Sequence, residues 1–471
     1  MRRTKIICTI GPASDSEEIL KELCLAGMDT ARLNFSHGTH ESHLETMKRL
    51  KKVRIELGCP LPIMLDTKGP EYRLKTFAEG SVEIKTGDKF ILTSDEVPGD
   101  ATKVSVNYEK LPQELEVGQQ ILVNDGLVEL QVDEISENDI ICSVIQGGTL
   151  SDRKSMNFPG KIMSHEYLSE QDKSDILFGI ENDVDFVAAS FMSTKQNALD
   201  LRNFLNENGG SEIGIIAKIE NPDGVKNVDE ICDIVNGIMV ARGDLGVEIP
   251  LEEVPVLQKE MTNKCRIRGK RVVTATEMLE SMIHNPRPTR AEASDVANAV
   301  FEGTSLVMLS GETASGEHPV EAVKTMASII EYTEEHIDYE KWFENTEYQI
   351  NSNLDAISHA TCSMAVDVNA KAIVVNSISG MTARLVSRFR CPAHIIGTTT
   401  DVKAWRRLNM SWGVTPVLNE KYESQDVMFE EGVKAAIRIL GLQPGDKVVL
   451  TGGPIGGEAG NTDTIKVYTV K

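Results

Sequence analysis

The chain is poor in aromatic residues, at 5%, and short of basic ones: 49 Lys and Arg stand against 72 Asp and Glu, a formal charge of −23. A charge of that sign and size excludes a broad electrostatic grip on nucleic acid or on an anionic membrane. No apolar run approaches the ~20 residues a helix needs to span a bilayer. The start, Met1-Arg2-Arg3-Thr4-Lys5, is basic, but the apolar stretch from Ile6 to Ile10 is too short for a signal-peptide core and runs into Gly11-Pro12. A cytoplasmic location is therefore expected. Eight cysteines in 471 residues, with no Cys-x-x-Cys pair, do not describe a disulfide framework. A Walker A loop is also missing: Gly160-Lys161 and Gly269-Lys270 are followed by Ile162 and Arg271. The glycine-rich run from Gly452 to Gly457 lacks the Rossmann spacing. Any anionic ligand must be met by a local cationic pocket, by metal ions, or by both.

What the sequence does have is alternation. At ~150 residues per domain the length suggests about three domains. Eight short β-rich runs, at 5–10, 30–35, 63–66, 186–191, 215–219, 238–241, 272–276 and 306–309, each end in polar or glycine residues. Helical patterns separate them, at 16–26, 41–57, 195–205, 254–268 and 290–301, with apolar residues at three- and four-residue steps. Eightfold strand–helix alternation is what a parallel (β/α)₈ (TIM) barrel requires, with a doubly wound open sheet as the other α/β reading. Between Glu71 and about Met163 the text changes to short alternating runs split by Thr86-Gly87-Asp88 and Asn124-Asp125-Gly126. That is an inserted all-β domain, either a mobile lid or an inert decoration. After a helix at 320–337 and a polar joint at 338–353, a third unit shows its own α/β pattern. The expected division is 1–70 with 164–340 as the barrel, 71–163 as a small inserted β-barrel lid, and 341–471 as a C-terminal α/β effector domain.

In such a barrel the chemistry sits at the carboxyl ends of the strands. Those ends carry Arg32-Leu33-Asn34-Phe35-Ser36-His37-Gly38, then Asp66-Thr67-Lys68-Gly69-Pro70-Glu71-Tyr72-Arg73, then Lys218-Ile219-Glu220-Asn221. Arg242-Gly243-Asp244, Thr276 and Ser310 complete the list. Lys218 and Glu220, two apart, share a strand face, and Asp244 ends the next strand. Two carboxylates from neighbouring strands suit Mg²⁺, which fills its remaining sites with water and substrate oxygens; a salt bridge plugging the barrel mouth is the plainer reading. Asn34, Ser36, Asp66 and Thr67 offer oxygens with a single carboxylate, which fits a hard monovalent cation or ordinary structural hydrogen bonding. His37, His40 and His43 drift around a helix and read as solvated or capping residues.

These runs, together with Ile215-Ile216-Ala217 before Lys218, Asn285 to Ala299 and Met308 to Thr313, resemble the pyruvate kinase family over essentially the whole chain. The resemblance is to the bacterial type without an additional C-terminal domain. It implies phosphoryl transfer from phosphoenolpyruvate to ADP, giving pyruvate and ATP in glycolysis. It further implies Glu220 and Asp244 as ligands of Mg²⁺ (or Mn²⁺), and Lys218 and Arg32 at the phosphoryl group in flight. Asn34, Ser36, Asp66 and Thr67 would bind K⁺. Thr276 would help to protonate the enolate, with Ser310 in support, and amides around Gly243 and Asp244 would seat the carboxylate. Arg73, His37 and Asn34 would lie toward the nucleotide. A loose phosphoryl transition state needs its spread charge matched by cations held in place beforehand.

Family members with Glu after Lys-Gly-Pro look K⁺-dependent and those with Lys do not, so Glu71 predicts K⁺ dependence. Two departures are Gln171, where Lys is frequent, and Glu277, where Gln is usual. The third unit resembles the family's effector domain. Ser377, Ser379, Gly380 and Thr382 lie between a strand end and a helix start, as a phosphate cradle or as simple capping by Ser379. The second half of that pocket falls near Thr451 to Asn461, where Glu458 is the only charge. A sugar-phosphate or nucleotide effector and a homotetramer are what the family suggests. A metal-dependent lyase and a non-catalytic metabolite sensor are the competing readings; neither needs the Lys218–Arg32 clamp.

Overall fold

The computed structural model describes residues 1–124, 126–161, 163–164, 166–455 and 460–471. Asp125 of the expected turn and Glu458 of the glycine-rich loop lie outside the described residues.

Eight parallel strands close on themselves: Lys5–Thr9, Thr30–Asn34, Ile63–Asp66, Phe186–Ala189, Gly214–Ile219, Gly237–Ala241, Arg271–Ala275 and Leu306–Leu309. All eight expected runs are barrel strands, and the open-sheet reading falls. Strands of this kind are covered by helices outside and packed side chains inside, so they read as continuous apolar runs. Every residue in them is buried except Asn34 and Lys218, both at or near carboxyl ends. Ile7, Met64, Phe186, Ile216, Met239 and Met308 fill the barrel, and Met410 from the C-terminal unit joins this core. The covering helices start where short polar side chains take their free amides. Thr39 caps His40–Leu57, Thr194 caps Lys195–Glu207 and Thr289 caps Arg290–Glu302, each in a reciprocal capping box.

The insert has its own core around Phe90, Leu92, Ile121, Leu130 and Ile140. Its strands pair as a seven-stranded sheet and a separate two-stranded ribbon, Gly148–Ser151 with Ser81–Ile84, where the sequence expects a small barrel. The C-terminal unit holds five strands in the order Val414–Leu418, His394–Thr399, Ala372–Asn376, Lys447–Gly452 and Thr464–Thr469, only the last antiparallel. This unit docks under the barrel: Arg406 reaches Asp185 at 2.6 Å and Asp183 at 2.9 Å, and the buried Arg390 donates to the Gly303 carbonyl at 3.0 Å. No helix among the described residues is long and apolar enough to cross a membrane.

Candidate active site

The fifth strand stops because Asn221 caps the next helix, with Pro222 at its first position. That stop leaves Lys218 and Glu220 at the barrel mouth. Lys218 Nζ lies 3.0 Å from Glu220 Oε1, 3.2 Å from Asp66 Oδ1 and 2.8 Å from Ser190 Oγ. Burial works against the ammonium, but Asp66 and Glu220 outweigh it and hold Lys218 charged above the usual lysine range. Asp66, wholly buried, turns its other oxygen to Arg32 Nε at 2.6 Å. Burial alone would raise the Asp66 carboxyl; Arg32 and then Lys218 reverse it and keep it ionised. Arg32 also donates to Thr9 Oγ1 at 2.9 Å.

Glu220 is buried and accepts the Phe191 amide at 2.6 Å. Burial pushes its carboxyl up to about 7; Lys218 opposes this and the charge of Asp244 adds to it. Asp244 is exposed in the first turn of Arg242–Glu248, the helix that follows the sixth strand. Two carboxylates from neighbouring strand ends, one of them raised by the charge of the other, are a donor pair suited to a divalent cation. No cluster of three or more His, Cys, Asp or Glu able to hold a metal exists among the described residues.

Asn34 and Asp66 are register partners on neighbouring strands, and Ser36 and Thr67 lie just beyond them. Asn34 Oδ1 accepts the Ser36 amide at 3.1 Å, and Thr67 Oγ1 accepts the Ser190 amide at 3.2 Å. Gly69 is needed where the chain leaves this strand: its φ is +71° and a Cβ would stand 2.7 Å from the Ser190 Cβ.

Thr276 follows the seventh strand in left-handed backbone, φ 65°, and Glu277 repeats it at 53°. For a β-branched residue this conformation is strained. Arg242 holds it, donating from Nη2 to the Thr276 carbonyl at 2.7 Å and from Nη1 to Asp295 at 2.8 Å. The Gly243 amide donates to Thr276 Oγ1 at 2.8 Å, so Thr276 and the Gly243–Asp244 turn are already joined. Ser310 Oγ is buried without a hydrogen-bond partner.

A cleft of about 390 Å³ separates the insert from this rim, with Glu71, Arg73, Asn157, Lys161, Asp244 and Glu248 on its walls. Arg73 forks onto Glu71, 2.8 Å at each of two contacts, and Lys68 lies 3.2 Å from the same carboxylate. His37 is exposed, its carbonyl taken by His43, and it does not line that cleft. Gln171 bonds to Asp175 along its own helix.

The effector candidates are divided. Ser377 lines a pocket of about 340 Å³ with Thr398, Lys421 and Asn461. Ser379 and Gly380 line a different cavity against the barrel, and Thr382 Oγ1 is buried against Thr462. Gly380, not Ser379, stands at the helix cap. Sequence reading missed Ser190, which bridges Lys218 and Thr67, the clamp made by Arg242, and Lys421. Ser190 and Arg242 were visible only as polar ends of strands, with no sign of their contacts, and Lys421 gave no local signal.

Residues 1–323 match the family described as pyruvate kinase, barrel domain, and residues 355–468 match pyruvate kinase, alpha/beta domain. A pyruvate kinase of Bacillus licheniformis is 46% identical over 100% of this chain and 81% of its own length. One from Clostridium acetobutylicum is 45% identical over 100% of both. The crystal structure of a pyruvate kinase from Cryptosporidium parvum superposes with a TM-score of 0.95 at 38% identity, covering 100% of this chain and 96% of that one. The chain belongs to the pyruvate kinase family and transfers the phosphoryl group of phosphoenolpyruvate to ADP, giving pyruvate and ATP.

Proposed function

We propose that this transfer runs at the barrel mouth, with Lys218 and Arg32 gripping the phosphoryl oxygens from positions fixed by Asp66. The network Arg32–Asp66–Lys218–Glu220 carries the proposal, because it places two cations and a metal-competent carboxylate together before substrate arrives. Glu220 and Asp244 would hold Mg²⁺ or Mn²⁺, and Asn34, Ser36, Asp66 and Thr67 would hold K⁺. When bound, these ions supply Lewis-acid and monovalent charge to the enolate and phosphoryl oxygens. Thr276 would relay a proton to the enolate carbon through its hydroxyl, with the unpartnered Ser310 hydroxyl in support. The Gly243 amide would share itself between Thr276 Oγ1 and the substrate carboxylate. Arg73, Asn34 and His37 would face the nucleotide, with Arg73 first released from Glu71.

The insert, 71–163, would act as a lid over the barrel of 1–70 and 164–340, excluding water that otherwise intercepts the phosphoryl group. Its contact from Asn157 to Glu248, 2.8 Å, would be part of the closing surface. The unit at 341–471 would take a sugar-phosphate or nucleotide effector in the Ser377 pocket, in a cytoplasmic homotetramer.

The test is a coupled assay of pyruvate formation with Lys218→Met. The expected result is a loss of about 10²–10³-fold or more in kcat with phosphoenolpyruvate still bound, as for removal of one fixed transition-state donor. Unchanged turnover would remove Lys218 from the mechanism.

A further inference from the structure

At the floor of the barrel, opposite the site, lies a second interdomain space. The starts of the fourth, fifth and seventh strands, at Phe186, Gly214 and Arg271, face the C-terminal unit across a cavity of about 230 Å³. Four guanidinium groups line it, from Arg202, Arg271, Arg384 and Arg407, against one carboxylate, Glu212.

That carboxylate is already engaged: Arg407 Nη2 lies 3.0 Å from Glu212 Oε2 and its Nη1 donates to the Glu212 carbonyl at 2.7 Å. None of the other three forms an ion pair among the described residues, and Glu212 acts on Arg202 only at longer range. Arg202 donates only to neutral oxygens, the carbonyls of Ser211 and Ile213 and the Asn236 side chain. Arg271 is 7% exposed; its Nη2 reaches the Arg407 carbonyl and Ser411 Oγ, but its Nε is buried without any partner. The Arg384 amide bonds the Gly380 carbonyl at 3.1 Å, but its guanidinium makes no hydrogen bond or ion pair among the described residues. Burial, and then the charges of Arg384 and Arg407, push the Arg271 guanidinium well below its usual range. Burying unpaired cations side by side is costly, and removing their charge is harder for arginine than for any other side chain.

A tetrahedral dianion answers all three deficits at once, since its oxygens accept from several guanidinium forks in charge-assisted bonds. We propose that this cavity binds a phosphate-type oxyanion, free or carried on a small ester. The space accommodates a phosphoryl group with a short carbon skeleton and is small for a nucleotide. It is separate from the Ser377 pocket, whose lining holds one lysine and no arginine. The bound anion would tie barrel to C-terminal unit, because Arg202 and Arg271 belong to one and Arg384 and Arg407 to the other.

The experiment is calorimetric titration of the full chain with inorganic phosphate, and separately with glycerol 2-phosphate, against chloride of equal ionic strength. A Lys218→Met background removes the phosphoryl grip of the barrel mouth. Saturable binding of either probe is expected, weakened at least tenfold by Arg384→Met; the tighter probe identifies free phosphate or ester. Arg384→Lys keeps the charge but not the fork, and is expected to fall between. No binding of either probe, or binding equal in Arg384→Met, overturns the assignment. Should Arg384→Met fail to fold, Arg202→Gln carries the same comparison.

Discussion

Asp66 joins Lys218 to Arg32 through separate oxygens, Oδ1 at 3.2 Å from the ammonium and Oδ2 at 2.6 Å from the guanidinium Nε. One buried carboxylate thus sets the spacing of both cations proposed to meet the phosphoryl group. Asp66→Asn keeps the shape and removes the charge. It should lower kcat by about 10²-fold through misplacement and cost about 3–5 kcal/mol of stability by leaving buried charges unpaired. Steady-state kinetics and denaturant melts check the two effects; a variant with wild-type kcat would show that the spacing does not depend on Asp66.

The strained pair Thr276–Glu277 depends on Arg242, whose guanidinium also bonds Asp295. If Thr276 relays the proton, Thr276→Ala should slow exchange of the pyruvate methyl protons with deuterated water by about 10²-fold or more. Arg242→Met should slow it by about tenfold to a hundredfold, by letting Thr276 relax. The exchange is followed by proton magnetic resonance, alongside Mn²⁺ binding, which should be unchanged in both variants. Loss of Mn²⁺ binding with Arg242→Met would point to collapse of the Asp244 turn instead.

Much of this arrangement was legible before the fold was seen, because barrel strands buried on both faces leave continuous apolar runs. The errors lie where side-chain chemistry hides the backbone. The fourth strand reads on to Phe191, but ends at Ala189, and Phe191 takes a left-handed φ of 53°. The seventh reads from Val272 because a buried arginine does not look like a barrel residue, yet Arg271 opens it. Strand Val414–Leu418 is hard to read from sequence because it contains Pro416, which is tolerated there only because the strand is a sheet edge. Helix Asn353–Asp367 escaped because Asn351-Ser352-Asn353 reads as a polar joint, whereas Ser352 caps the helix. Site residues at strand ends could be read from order alone. The Arg242 clamp and the place of Lys421 beside Asn461 depend on contacts between distant segments, which no local pattern encodes.

Glu71 predicts a monovalent-ion requirement, and its carboxylate is held by Arg73 and Lys68. Replacing K⁺ with a large organic cation should reduce turnover by about 10²-fold, the scale of one lost fixed charge at the transition state. Glu71→Lys should narrow the ratio between the two buffers, since a lysine ammonium would stand in for the ion, while lowering activity in K⁺ by freeing Arg73. Identical ratios for wild type and variant would separate Glu71 from the ion requirement.

The C-terminal unit should carry its own acid sensitivity through His394, at the start of the strand His394–Thr399. Burial, then the Arg3 guanidinium and the chain's amino terminus, push this imidazole down to about 4. The unfolded chain takes up the proton near pH ~6.5, whereas the folded chain refuses it until about 4. Below pH ~6.5 the unfolded state therefore binds more protons, and stability falls as pH drops from there toward 4. For a half-buried ring screened by solvent, this term amounts to about 1 kcal/mol. His394→Gln removes the titration without adding charge, so its melting temperature should decline less than the wild type's between pH 7 and pH 4.5. Carboxylates elsewhere contribute to the slope of both proteins alike, so the difference between the two curves isolates His394; parallel curves would mean that the imidazole stays protonatable in the folded chain.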